Sequence, residues 1–254
     1  MAELRIVDAR IRSASFAART EAVDTLVLHY TALDLAQSLK VLREGAVSVH
    51  YVLAEDGTAY QILEEHEVGW HAGLSMWRGR PNVNARSIGI EVVNLDGNVH
   101  GYPRAQVDAL VALCRAILQR HPGIEPRNVV GHSDIAPKRK VDPGRRFPWQ
   151  RLAAAGIGRW PEGAVPEPVA SPAELQALLQ ACGYPPPHAY GRNTASGANV
   201  YVPDAENPPP GVTGVQRVTT ADIVRAFQLR YQPRALAGRP TAHTMGMLRR
   251  LAAS

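Results

Sequence analysis

Asp24-Thr25-Leu26-Val27-Leu28-His29-Tyr30 is a continuous apolar run closed by a histidine and a tyrosine. Without polar alternation, such a run reads as a strand buried on both faces, the kind found where helices cover both sides of a sheet. The flanking residues agree with this. Positions 36–43, with Leu35, Leu39 and Leu42 on one stripe, predict a helix that Gly45 stops. Positions 47–54 and 58–63, joined through Asp56-Gly57, predict a hairpin. Ser87-Ile88-Gly89-Ile90-Glu91-Val92-Val93-Asn94 predicts a second buried strand. Val107, Leu110, Val111, Cys114 and Leu118 recur at helical steps and mark a helix over 103–121. Asn128-Val129-Val130-Gly131-His132 supplies a short last strand. Strands and helices that alternate in this way predict an α/β domain with a mixed central sheet flanked by helices.

Composition changes at Pro161-Glu162-Gly163-Ala164-Val165-Pro166-Glu167-Pro168, which reads as an extended, semi-rigid linker. Beyond it, Ser171-Pro172-Ala173-Glu174 is a capping box with proline at the first helical position. Leu175, Leu178, Leu179 and Cys182 form the apolar stripe of that helix, and Gly183 ends it. Further helices are expected from Thr219 or Thr220 to Gln232 and over 244–251. The stretch 184–218, rich in proline, glycine, asparagine and aromatics, shows no regular periodicity. The expected organisation is an α/β domain over 1–160, a linker over 161–170 and a small all-α module over 171–254.

Of the 254 residues, 45% are apolar and 20% charged, which excludes a chain dominated by disorder. No apolar run approaches the roughly 18 residues a membrane helix requires, so no membrane span is expected. Cys114 and Cys182 occupy apolar helix positions and read as buried free thiols rather than a disulfide framework. The net charge of +5 suits an anionic substrate. No run of lysine and arginine interleaved with aromatics is present, so nucleic acid is not an expected partner. Residues 1–8 carry alternating charges and no apolar segment of the signal-peptide type. A cytoplasmic location is therefore expected for the sequence as written. A periplasmic or exported one would need a trimmed leader or a route that uses none.

Nine histidines are available for chemistry. His66-Glu67-Val68-Gly69-Trp70-His71 imitates the helical zinc pattern of two histidines at i and i+4, but here the second stands at i+5. On a helix that separates the rings by about 140°, and Gly69 weakens the helix further. A better set is spread along the chain. His29 and His132 each end a strand, the position where α/β proteins display reactive groups beyond the sheet. Asp142 follows in a loop stiffened by Pro137 and Pro143. Two imidazoles and a carboxylate suit a catalytic zinc ion with a fourth position left for water. On spacing alone an alternative stands beside this: two strand-end histidines bonded to backbone, with a surface aspartate.

Leu28-His29-Tyr30-Thr31, Trp70-His71-Ala72-Gly73, Ser87-Ile88-Gly89-Ile90-Glu91 and Gly131-His132-Ser133-Asp134-Ile135-Ala136-Pro137, continuing to Arg139-Lys140 and Asp142-Pro143-Gly144, resemble the type-2 N-acetylmuramoyl-L-alanine amidases. The resemblance runs from residue 25 to residue 160 with the motifs in order. It implies Zn2+ bound by His29, His132 and Asp142, with Glu91 and Lys140 catalytic. It also implies hydrolysis of the amide between N-acetylmuramic acid, or its 1,6-anhydro form, and the L-alanine of the stem peptide. In those roles zinc would lower the pKa of a water and polarise the scissile carbonyl. Glu91 would take a proton and pass it to the leaving amine, and Lys140 would stabilise the developing oxyanion. Trp70 and His71 lie in a motif that lines the family's substrate cleft. Asn84 and Arg86 precede the Glu91 strand and are expected near substrate. Arg86 either grips a stem-peptide carboxylate or forms a surface salt bridge. His50 reads as structural.

The tail resembles a peptidoglycan-binding helical module through Leu175-Gln176-Ala177-Leu178-Leu179-Gln180, Gly183-Tyr184, Ala226-Phe227-Gln228 and Tyr231. The long stretch 185–218 departs from that pattern, and a packing appendage is the alternative. For the whole chain, a catalytically silent peptidoglycan-recognition module is the rival from another class. All three implied ligands are retained together with Glu91 and Lys140, which favours an enzyme acting on peptidoglycan or a muropeptide.

Overall fold

The computed structural model describes residues 5–8, 13–169 and 171–253. In chain order its first elements are β1 (Ile6–Asp8), β2 (Phe16–Ala18), β3 (Thr25–Tyr30), α1 (Leu35–Glu44), β4 (Tyr51–Leu53) and β5 (Ala59–Gln61). Then come β6 (Glu67–Gly69), β7 (Met76–Trp77), β8 (Arg80–Pro81), β9 (Ser87–Val92), α2 (Arg104–Arg120), β10 (Val129–Gly131), α3 (His132–Ile135) and α4 (Trp149–Ala154). The last are α5 (Pro172–Ala181), β11 (His188–Asn193), β12 (Asn199–Val202), β13 (Val212–Val218), α6 (Thr220–Tyr231) and α7 (Ala242–Ala252). The chain divides into two compact units. The first combines the described residues up to 72 with 83–132 and 142–160, and the second combines 73–82, 133–141 and the described residues from 161 onward.

The first unit is the expected mixed α/β structure. Its six-stranded sheet has the order β1-β5-β4-β9-β3-β10, antiparallel only between β4 and β5. Successive side chains of a strand point to opposite faces, and the apolar runs of β3 and β9 are buried on both. On one face Leu26, Leu28, Ile88, Ile90, Tyr51 and Leu53 join Leu110, Leu113, Cys114 and Ile117 of α2 in the main core. Each fully buried leucine or isoleucine of that stripe contributes about 1.5–3 kcal/mol. On the other face Val52 packs with Leu42, Val49, Ile62 and Val93, supported by Leu35 and Leu39 of α1. Asp34 caps α1 by accepting from the Gln37 N–H at 2.8 Å. His66-Glu67…His71 is no helix: Glu67 opens β6, which pairs antiparallel with β2.

The second unit departs from the all-α module expected over 171–254. Helices α5, α6 and α7 form as predicted, and α6 and α7 are opened by capping boxes at Thr219 and Thr241. The stretch that showed no periodicity folds into a three-stranded antiparallel sheet of order β12-β11-β13. Most of β13 is exposed or half-buried, so it never needed the two-residue apolar alternation that betrays a strand. The aromatic centre of this unit is Trp77, Tyr184, Phe227 and Tyr231, linked by ring contacts at 5.4, 5.8 and 4.7 Å. Gly183, at φ +108°, lets the backbone meet Trp77, where any Cβ would stand 2.5 Å from the indole. Among the described residues neither cysteine is in a disulfide: Cys114 is buried as expected, whereas Cys182 is only half-buried. Among the described residues, no helix is long and apolar enough to cross a membrane.

Candidate metal centre

The parallel register of β3 and β9 sets His29 directly beside Glu91. Both belong to the set of side chains opposite Leu28 and Ile90, so they leave the sheet on the face away from α2. On the other side of β3, Gly131 of β10 pairs with Leu28, which carries the next residue, His132, to the level of His29. Gly131 also makes room for the return of the chain, since a Cβ there would stand 2.7 Å from the Pro143 ring. That close passage delivers Asp142. Strand order and one glycine thus gather residues 29, 132 and 142.

His29 Nδ1 lies 3.0 Å from His132 Nδ1 and 3.0 Å from Asp142 Oδ2, and His132 Nδ1 lies 3.1 Å from the same oxygen. Hydrogen bonds alone do not account for this triangle. A backbone carbonyl only accepts, so the contact of His132 Nε2 with Ala72 O at 3.0 Å fixes the proton on Nε2. The neutral His132 ring therefore presents a lone pair at Nδ1, facing a second ring nitrogen and a carboxylate. Such a set calls for a shared cation. The ligand atoms of a tetrahedral zinc ion, at about 2.0–2.1 Å from the metal, stand roughly 3.3 Å from one another, close to the edges seen here. The donor chemistry fits as well, and among the described residues these three form a group that could hold a metal ion.

The remaining candidates take varied places. Glu91 is half-buried on β9. Lys140 belongs to the second unit, half-buried, with its N–H donating to Ala136 O at 3.0 Å. Trp70 is 39% exposed, and its backbone N–H donates to Ser48 Oγ. The side chains of His71, Asn84 and Arg86 make contacts within the protein. Arg86 is 2% exposed, with its guanidinium on Asp24 Oδ1 at 2.5 Å and Thr25 Oγ1 at 3.0 Å, where it ties the start of β3. Its ion pair with Asp24 is largely buried rather than a surface salt bridge. Asn84 Oδ1 accepts from the N–H groups of both His71 and Ala72. His71 is buried against His29 and Ser87, and that burial drives its imidazole well below the usual range, with His29, His50 and His132 adding to the effect. Sequence reading missed this inner use of His71, although Gly89 inside an apolar strand was a signal of close approach.

Residues 19–145 match the family described as N-acetylmuramoyl-L-alanine amidase. The N-acetylmuramoyl-L-alanine amidase AmiD of Escherichia coli (strain K12) is 40% identical over 185 residues, covering 64% of this chain and 67% of AmiD. The 1,6-anhydro-N-acetylmuramyl-L-alanine amidase AmpD of Enterobacter cloacae is 42% identical over 109 residues. That match covers 43% of this chain and 57% of AmpD, so it spans little more than half of that relative. AmpDH3 from Pseudomonas aeruginosa, in its crystal structure with anhydromuramic pentapeptide, is similar with a TM-score of 0.73 at 34% identity, covering 92% of each chain.

Proposed function

This chain belongs to the N-acetylmuramoyl-L-alanine amidase family, and from that premise we propose that it is a zinc hydrolase that cuts the amide between N-acetylmuramic acid, or its 1,6-anhydro form, and L-alanine. The observation that carries the reading is the triangle of His29 Nδ1, His132 Nδ1 and Asp142 Oδ2, with edges of 3.0–3.1 Å, one strand away from Glu91. These three residues would hold the zinc ion. When bound, it supplies Lewis acidity toward the scissile carbonyl and the attacking water. Glu91, on the same rung of the sheet as His29, takes a proton from that water and returns it to the leaving amine. Lys140 offers a positive charge to the developing oxyanion. Trp70 presents an exposed indole to the substrate.

Residues 1–160 are the catalytic domain in this reading, 161–170 its linker, and 171–254 a peptidoglycan-binding module, proposed on the pattern carried by α5 and α6. One observation favours a second use of that module. Arg230 of α6 pairs with the buried Asp134, in the segment that also bears Lys140, so the tail braces that segment whether or not it meets glycan. AmpDH3 holds an anhydromuramic pentapeptide, which makes soluble anhydro-muropeptides the first substrate to offer this chain.

The test is digestion of anhydro-muropeptides and of purified sacculi, with and without a chelator, read by mass spectrometry. Chelator-sensitive release of free stem peptides is expected, and Glu91→Ala should keep zinc while losing that release. A folded, zinc-loaded chain that released nothing from either substrate would return the reading to a silent recognition module.

A further inference from the structure

The dipeptide His71-Ala72 receives the outward-facing N–H of both histidines of the centre. His132 Nε2 donates to Ala72 O at 3.0 Å. His29 Nε2 lies 3.0 Å from His71 Nδ1. Two ring nitrogens at that distance bond only when one carries a proton and the other does not. His29 turns its Nδ1 toward His132 and Asp142, and a donor to a cation needs a lone pair there. The proton of the neutral ring then sits on Nε2, and His71 Nδ1 accepts it. The proton of His71 is left on its own Nε2, 3.2 Å from Ser87 Oγ, a hydroxyl able to accept.

The dipeptide is itself pinned from two sides. Asn84 Oδ1 accepts from the His71 N–H at 3.1 Å and from the Ala72 N–H at 2.7 Å. On β9, Gly89 leaves bare the patch on which the His71 ring lies. A Cβ at that position would stand 2.7–2.8 Å from Cγ, Cδ2 and Nδ1 of the ring. The motifs Trp70-His71-Ala72-Gly73 and Ser87-Ile88-Gly89-Ile90-Glu91 are therefore two halves of one fitting: the second supplies the niche and the hydroxyl for the histidine of the first.

We propose that His71 is a positioning residue of the metal centre, the acceptor that fixes the tautomer and ring plane of His29, seated by Gly89, Ser87 and Asn84. This rests on the reading that His29, His132 and Asp142 bind zinc. The distinction from substrate binding is geometric, because both ring nitrogens of His71 face protein atoms.

The test uses the full chain with His71→Leu and His71→Asn, titrated with zinc against a competing chelator, with unfolding of each metal-free protein followed in parallel. His71→Leu removes the acceptor and should weaken zinc binding by about 10- to 100-fold. His71→Asn places an amide oxygen where Nδ1 stood and should recover part of that loss. A role in packing alone would lower the metal-free unfolding temperature of both variants and leave their zinc affinity within a few-fold of wild type, and that result overturns the proposal. Should His71→Leu fail to fold, nitrogen NMR of the zinc-loaded wild-type chain decides: an unprotonated His71 Nδ1 supports the assignment, and a protonated one overturns it. If the wild-type chain takes up no zinc, the metal reading fails first and carries this inference with it.

Discussion

Asp134 and Asp142 are buried aspartates eight positions apart in the chain, and they meet their need for positive charge in opposite ways. Asp134 accepts from Arg230 Nη1 at 2.8 Å and from the Tyr184 hydroxyl at 2.7 Å. A guanidinium stays charged at any accessible pH, so the cation of Asp134 is part of the covalent chain. Asp142 faces two imidazole nitrogens at 3.0 and 3.1 Å instead, rings that are neutral whenever they present lone pairs. Its cation is not built in. An aspartate closed by arginine is a finished structural joint, whereas an aspartate converging with two imidazole lone pairs is a place for an exchangeable ion. The two residues sit in one motif, and only their partners separate their roles.

The sharpest way to break this comparison is to remove one charged group from each site in turn. Asp142→Asn removes the one anionic donor facing the two rings. Zinc should be lost and amidase turnover should fall by roughly a thousandfold or more, because Lewis acidity leaves with the metal. The metal-free fold should keep most of its stability, since no covalently attached cation is orphaned. Metal content by mass spectrometry, alongside turnover, checks this, and full zinc occupancy in the variant would erase the distinction between the two sites.

Arg230→Met makes the complementary change and strikes stability rather than metal. It leaves the Asp134 carboxylate buried without its guanidinium, a loss of about 3–5 kcal/mol for a broken buried pair. Denaturant unfolding of the metal-free chain reads it directly. Adding Asp134→Leu to Arg230→Met should restore much of the loss, because replacing both partners of a buried pair by apolar groups is often neutral. A single variant within about 1 kcal/mol of wild type would mean that the pair lies in water-accessible surroundings and is a surface bridge in effect.

How much of this was legible in the sequence depends on how local each signal is. The run 24–30 that carries His29, the helix 103–121 and the terminal strand before His132 were readable because burial on both faces and helical periodicity are written within a dozen residues. The convergence of His29, His132 and Asp142 entered through family motifs, since spacing left a backbone-bonded alternative open. Partners distant in sequence stayed hidden: nothing near Arg86 announces Asp24, and nothing near Asp134 announces Arg230, 96 positions away. The contacts of His71 with His29 and Ser87 were not legible in its own segment. Its niche is the missing side chain of Gly89, a relation between two strands that one segment cannot express. Strands β12 and β13 were missed because they are mostly exposed or half-buried, and β11 because its three consecutive buried residues show no alternation.

His50 extends the comparison to a buried ionisable group given no anion. Its Nδ1 accepts from the Gly89 N–H at 3.0 Å, and its Nε2–H donates to Glu67 O at 3.1 Å, with the Arg19 guanidinium 3.2 Å away. A second proton would have to sit on Nδ1, pointing at a backbone donor, beside a fixed positive charge. Burial, the largest influence, carries the His50 pKa down from 6.5 to about 4. Between those values the unfolded chain binds the proton that the folded chain refuses, so stability from this group is complete above pH 6.5 and falls as the pH drops toward 4. The shift corresponds to roughly 3 kcal/mol over that window. Unfolding free energies at pH 7.5, 5.5 and 4.5 should fall more steeply for wild type than for His50→Gln, which cannot titrate there and should start from a lower value at pH 7.5. Parallel curves for the two proteins would mean that His50 takes up its proton without resistance, and that Gly89 and Glu67 do not hold it in one tautomer.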